Sequence, residues 1–454
     1  MRLAGVLALL ALAAAAAARE KPVRVRDALC VSQSDAPFLA LDAAARDVYL
    51  AALADAGWTL VRIDFTWSRI QPSPPPAPLD FSRYDEIVRQ ASAHGIRVVG
   101  ILDYGVDWAA ASAPTGDDRY PPDDPATFAA FAAATARHYR KRVRTWEVWN
   151  EPNNGLSGFW KPEPDPAGYA RLAAAAARAL RRAAPRATLV TGGLAPTLDI
   201  LIYGTDWAFF TAATAAVPDW HRGFDAAALH PYTLLQAPPP EDESLPLGPS
   251  VVHQMANFRD RLAESGADRL PLWVTELGWH TALESGFPLF PPGVSELDQA
   301  RFLVRGTVLT LAAGAQRMCW YTLLDYPNFL HDKEAAFGLF HYQPTPIAGA
   351  LDPKPAYGAA RTLATVLGPT RFERDLRADL GLPSTAYAYA FRHGPRSRVL
   401  VLWATADADA TQVPIARGVR RVRRVEMDGA SADLGRPASV DVTLTPTPVY
   451  LLLE

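Results

Sequence analysis

The sequence predicts an α/β protein, a (β/α)8 barrel of the TIM type with a small C-terminal antiparallel β-sandwich. Three observations carry that expectation. Eight apolar, strand-like runs alternate with helical segments at about 40 residues per unit, which suits parallel strands joined by right-handed crossovers. Two of the runs, Thr145-Trp146-Glu147-Val148-Trp149-Asn150-Glu151 and Pro271-Leu272-Trp273-Val274-Thr275-Glu276, end on a glutamate. Beyond residue 367 the texture changes to period-two alternation, as in Ser384-Thr385-Ala386-Tyr387-Ala388-Tyr389-Ala390-Phe391.

In order, 28–32 reads as the first strand, and Asp42 caps a helix that runs to Gly57. Residues 59–65 form a strand, followed by Trp67 and a proline-rich loop over 71–78; a helix over 82–94 closes on Gly95. Strand 97–104 leads to a loop bearing Trp108. Asp124-Pro125 and Asp165-Pro166 each set a capping side chain before an N1 proline, predicting helices to about 142 and 184 on either side of the Glu151 strand. Strand 188–193, helix 206–217 and strand 224–232, which ends His230-Pro231-Tyr232, come next. Helix 251–265, the Glu276 strand, helix 297–314, strand 316–324 and helix 355–367 complete the barrel. The expected divisions are 1–18, 19–368 and 369–454.

Composition narrows the function. The chain has 454 residues, nearly half apolar and a fifth charged, with a net charge of −3, so nothing in its overall charge points to nucleic acid or an anionic membrane. Residues 1–18 combine one basic residue, an Ala/Leu core and small residues before Arg19, which reads as a cleavable signal peptide and predicts a secreted or periplasmic protein. The rival is an uncleaved anchor, but the apolar run barely reaches the ~20 residues that span a bilayer. No later segment is long and apolar enough for stable membrane insertion, and a monomer is expected. Cys30 and Cys319 fall in the first and last barrel strands, neighbours on closure; a bridge is conceivable, and two buried free thiols are the expectation.

Barrel chemistry sits at the carboxyl ends of strands, and Glu151 and Glu276 end strands four and seven. Two carboxyls facing each other at about 5 to 5.5 Å suit glycosidic bond cleavage with retention, one attacking the anomeric carbon while the other protonates the leaving oxygen. Glu151 is the expected acid/base and Glu276 the nucleophile, kept ionised by donors for which Arg62, His230 and Tyr232 are candidates. Glu147 is expected to have a structural role, paired with Arg62 inside the barrel. No strand carries a His-x-His pair, and no serine elbow or glycine-rich phosphate loop is present, since Gly192-Gly193 lacks the rest of that pattern. Neither a metal nor another cofactor is expected.

Trp149-Asn150-Glu151-Pro152-Asn153 together with Thr275-Glu276-Leu277-Gly278-Trp279 resembles clan A of the glycoside hydrolases, the retaining (β/α)8 group. Phe337-Gly338-Leu339-Phe340 and Lys354-Pro355-Ala356-Tyr357 make family 39 and related exopolysaccharide hydrolases the most similar, with family 5 cellulase-like enzymes next. The resemblance covers about 28–367. It implies a poly- or oligosaccharide substrate, Glu151 as acid/base, Glu276 as nucleophile, and Asn150 on the sugar 2-hydroxyl. It further implies that Arg62, His230 and Tyr232 touch the nucleophile or sugar, and that Trp320 floors the subsite where cleavage occurs.

Trp67, Trp108, Trp160, Trp207 and Trp279 follow strands closely enough to be sugar platforms, with core packing as the alternative. Two other functions stay open: a carbohydrate-binding barrel without catalysis, and a transglycosylase in which a sugar replaces water.

Overall fold

A computed structural model describes residues 22–196, 207–233, 237–243, 249–284, 292–328, 330–346, 350–395, 397–406 and 410–454. The proposed signal peptide, and the start of the helix expected from Asp206, lie outside them. Eight parallel strands form the barrel: β1 (Leu29–Gln33), β2 (Leu60–Thr66), β3 (Arg97–Asp103), β4 (Thr145–Asn150), β5 (Thr188–Gly193), β6 (Ala227–Leu229), β7 (Leu272–Leu277) and β8 (Arg317–Tyr321). Their order is β5-β4-β3-β2-β1-β8-β7-β6, and bridges Val190↔Ala226 and Leu194↔Leu229 join β5 to β6. The expected strand over 224–232 is thus only three residues long, because the chain around it makes single bridges rather than a ladder.

Helix starts follow local chemistry. Asp42, Asp124, Ser250 and Ser295 accept a backbone N–H from the first turn of the helices they precede. Asp165 does not: Pro166 opens Pro166–Ala183 as expected, but the Asp165 side chain makes no capping hydrogen bond. The helix expected to reach 142 ends at His138, with Arg142 N and Val143 N turning back to the Tyr139 carbonyl.

The barrel interior is filled in layers. Cys30, Leu60, Val99 and Cys319 form one cluster, and Val190, Ala226, Ala228 and Trp273 another. The expectation of two free thiols is overturned: β1 and β8 pair with Cys30 directly opposite Cys319, and the two form a disulfide.

After the last barrel helix (Pro355–Leu367) come β9 (Arg371–Asp375), β10 (Ala386–His393), β11 (Ser397–Ala404), β12 (Ala410–Pro414), β13 (Val422–Glu426), β14 (Ser431–Gly435), β15 (Ser439–Thr443) and β16 (Val449–Leu453). Six form an antiparallel sheet, β14-β13-β16-β11-β10-β9, over which β12 and β15 pack as a two-stranded layer. Alternation decides its two faces. Ala388, Leu400, Leu402 and Leu451 face the small layer, whereas Tyr389, Val401, Trp403 and Tyr450 join the core shared with the barrel. Glu241 joins the units: its carboxylate takes Arg305 Nε at 2.8 Å and Trp403 Nε1 at 2.7 Å.

Candidate active site

Strand β4 delivers Asn150 and then bends sharply. Trp149 and Glu151 both have positive φ, 71° and 43°, which side-chain-bearing residues rarely adopt. The turn is held by Glu151 N donating to Gly193 O at 3.0 Å and by Asn153, whose side chain bonds both backbone groups of Ala195. Gly193 is required for another reason: a Cβ there would fall 2.1 Å from His230 Nε2. Gly193 therefore makes room for a histidine, while Gly192 lets β5 lie against the Val148 and Trp149 carbonyls of β4.

Strand β7 brings Glu276 to the same mouth, and one carboxylate oxygen of each glutamate lies within 4.8 Å of the other and of a His230 nitrogen. Beneath them runs a buried network. Arg62 grips Glu147 with Nε and Nη2 at 2.8 and 3.0 Å, reaches Glu276 Oε1 with Nη1 at 2.6 Å, and also donates to Asn150 Oδ1 and Ser32 Oγ. Burial works against the Arg62 charge, and Glu147 and Glu276 outweigh it, so the guanidinium stays protonated. Tyr232 donates its hydroxyl to Glu276 Oε2 at 3.1 Å. Asn150 Nδ2 donates to Tyr104 Oη at 3.1 Å.

His230 is wholly buried, with Nδ1 2.7 Å from Glu151 Oε1 and Nε2 3.0 Å from Thr275 Oγ1. Thr275 has one hydroxyl proton, and its other neighbour, Glu147 Oε1 at 3.2 Å, can only accept. The Thr275 oxygen must therefore accept from His230 Nε2–H, which leaves Nδ1 for the proton exchanged with Glu151. Asn154 Nδ2 holds the other Glu151 oxygen at 2.7 Å. Burial alone pushes the Glu151 pKa up; the hydrogen bond and charge of His230, the Asn154 donor and Arg62 outweigh it and hold the carboxyl below its ordinary value.

Further acids line the β2 and β3 side. Asp64, two residues beyond Arg62 on the same face, is partly exposed and accepts Asp35 N at 3.0 Å; burial, then the Asp35 charge, pushes its pKa up to about 7. Asp103, at the end of β3, is fully buried with no hydrogen-bond partner on either oxygen among the described residues, and burial drives its pKa well up.

The structure thus brings together Arg62, Asn150, Glu151, His230, Tyr232 and Glu276. Sequence reasoning overlooked Asn154, Ser32, Tyr104 and Asp64, and quoted Thr275 without a role. Asn154 stands three residues past Glu151 and Asp64 two past Arg62, spacings that offered a signal. The aromatic expectations need correction. Trp320 is not a floor: it points away from the mouth, fully buried, its ring 6.1 Å from that of Trp279. Trp279 is likewise buried, packed on Phe302, with Nε1 donating to Pro238 O at 2.8 Å. Strand parity explains Trp320, since its neighbours Cys319 and Tyr321 take the inward positions. Trp67, Trp160 and Trp207 are core as well, whereas Trp108 keeps partial exposure, edge-on to Trp67 with Nε1 on Gln71 O. One histidine also gains acidic neighbours in space that its place in the sequence does not show, since Glu151, His230 and Glu276 each set one ligand-type atom within 4.8 Å of the others.

A (β/α)8 barrel that converges glutamates from β4 and β7 on one mouth, over an arginine from β2, belongs to the glycoside hydrolases of clan A. Residues 34–282, more than half of the chain, match the family described as cellulase (glycosyl hydrolase family 5), and the chain belongs to that family. No curated protein matches the sequence. Among solved structures, a family 39 glycoside hydrolase from Bacteroides cellulosilyticus WH2 aligns with TM-score 0.70 and 19% identity over 96% of this chain and 82% of its own. A monomeric β-xylosidase from Caulobacter crescentus CB15 aligns with TM-score 0.66 and 18% identity, over 96% and 98%. A GH30 endoxylanase from Clostridium papyrosolvens C71 gives 0.63 and 12%, over 96% and 97%. At these identities the structural likeness speaks for the fold, so the family match is to family 5 and the family 39 likeness is one of shape.

Proposed function

We propose that this glycoside hydrolase cleaves O-glycosidic bonds of a poly- or oligosaccharide by double displacement with retention. The observation that carries the reading is the approach of the Glu151 and Glu276 oxygens to within 4.8 Å, close to the spacing of about 5 to 5.5 Å that lets one carboxylate attack directly. Glu276, with Arg62 on one oxygen and Tyr232 on the other, is the nucleophile. Glu151 is the acid/base, and the His230 Nδ1 contact at 2.7 Å is the route by which it gains its proton. Once the sugar covers the mouth, moving that proton from His230 Nδ1 to Glu151 arms the acid. After the leaving group departs, Glu151 is ionised and takes a proton from water, whose oxygen attacks the glycosyl-enzyme.

Glu276→Gln should abolish turnover of an activated aryl glycoside. Glu151→Ala should spare good leaving groups more than poor ones and regain turnover with azide. Wild-type turnover in either variant overturns the roles. Glycan binding without release of reducing ends favours a binding protein, and new oligosaccharides in the product spectrum favour a transglycosylase.

We further propose secretion to an oxidising compartment. The Ala/Leu leader motivates it, and the Cys30–Cys319 pair supports it, since such bridges persist outside the reducing cytosol. Among the described residues no helix is long and apolar enough to cross a membrane. Mass measurement of the exported protein tests cleavage near Ala18; an unprocessed N-terminus overturns it.

A further inference from the structure

The end of the barrel away from the mouth carries an unusual charge. The last turn of the helix before β4 and the turn entering that strand read Arg137-His138-Tyr139-Arg140-Lys141-Arg142-Val143-Arg144, and the turn entering β5 adds Arg186. These turns follow two helices that pack on each other, Pro125–His138 and Pro166–Ala183, and they are tied by Thr188 N donating to Arg144 O at 2.8 Å. All six arginines and lysines are exposed. Among the described residues, none has a carboxylate within ion-pair reach or a side-chain hydrogen bond. Asp85, the acid beside them, is held by His138 at 2.8 Å. Some surface arginines elsewhere sit against acids, as Arg24, Arg222, Arg374 and Arg421 do, while others such as Arg83, Arg89 and Arg178 have no ion pair among the described residues; what sets this end of the barrel apart is six such cations on two adjoining turns. In a chain with more acids than bases, an uncompensated cluster repels itself, and an outside anion would relieve it.

Shape narrows the class of anion. A concavity of about 360 Å³ has Val143, Ala184 and Ala187 as its floor and Arg140, Lys141, Arg144 and Arg186 at its rim. A second, of about 760 Å³, lies beside it, shares Arg140 and Lys141, and is also lined by Arg137, Arg142 and the His138–Asp85 pair. Two adjoining depressions with common cations fit a linear polyanion better than one small ion. A bilayer fits poorly, because the large apolar side chains exposed on the described chain are Leu156, Leu283, Leu297 and Leu330, none of them here. We propose that this face binds an anionic polysaccharide, a glycan bearing carboxylate or sulfate groups, at the end of the barrel opposite the catalytic mouth. The site would hold the enzyme on a charged matrix while leaving the mouth open.

The test is biolayer interferometry of the full chain on immobilised polygalacturonate and dextran sulfate, with neutral dextran as reference. Binding to the charged polymers alone is expected, weakening as salt is raised. The variant Arg140→Glu/Lys141→Glu/Arg144→Glu should lose more than about tenfold in affinity at unchanged melting temperature. Arg420→Glu/Arg421→Glu/Arg436→Glu, an equal charge change on the β-sandwich, should bind as wild type does. Equal binding by the first variant, an equal loss in the second, or no preference over dextran overturns the proposal. Tighter binding to duplex DNA or to anionic vesicles at the same ionic strength does so too. None of these readouts depends on turnover, so the catalytic assignment stands or falls separately.

Discussion

Asp64 stands where a charge is hard to keep. Its pKa, pushed from 3.8 to about 7, means that the folded chain binds this proton more tightly than the unfolded chain does. That contribution to stability is fully present below about pH 4 and is lost as the pH rises through about 7. Asp64→Asn keeps the acceptor for Asp35 N without the charge. Its melting temperature should gain on wild type between pH 4 and 8, and parallel pH profiles would refute the assignment. Asn154 tests the proposed acid in the opposite sense. It donates to Glu151 Oε2 and so favours the ionised form. Asn154→Ala should raise the Glu151 pKa and move the alkaline limb of the kcat/KM profile upward. An unmoved limb, with activity retained, would show that Asn154 does not tune the acid.

Elements act here through what their neighbours leave open. Strand β5 ends in two glycines because β4 and β6 crowd it from either side. At Gly193 an added Cβ meets the His230 ring and Thr275 Oγ1, both fully buried with no room to retreat. Gly193→Ala should therefore displace His230, lowering kcat by about a hundredfold, the lower end of a general acid's contribution, with less change in KM. Steady-state kinetics beside a near-ultraviolet dichroism spectrum separates this from unfolding. A variant with wild-type kcat would mean that the ring shifts without consequence. The positive φ at Trp149 and Glu151 belongs to the same device, turning the end of β4 so that the carboxylate faces β7 instead of continuing along the strand.

For the molecule as a whole, Glu241 is the clasp between barrel and β-sandwich. Arg305 and Glu241 are each only 2% exposed at the side chain, and Trp403 donates to the same carboxylate. Glu241→Ala strands a buried guanidinium, which costs about 3–5 kcal/mol. Urea unfolding should show a loss of that size, and a loss under about 1 kcal/mol would mean that Arg305 finds water.

The sequence by itself determined the alternation of eight strands and helices, the helix starts at Asp42 and Asp124, the change to an antiparallel domain, and the delivery of Glu151 and Glu276 at strand ends. Each of these is written in local periodicity, capping chemistry or a short motif. Only the tertiary structure decided that Cys30 faces Cys319, that Trp320 and Trp279 look outward into the helical layer, and that His230 stands between two glutamates. Those outcomes depend on strand parity and on the register across barrel closure, where a shift of one residue sends a side chain to the other face.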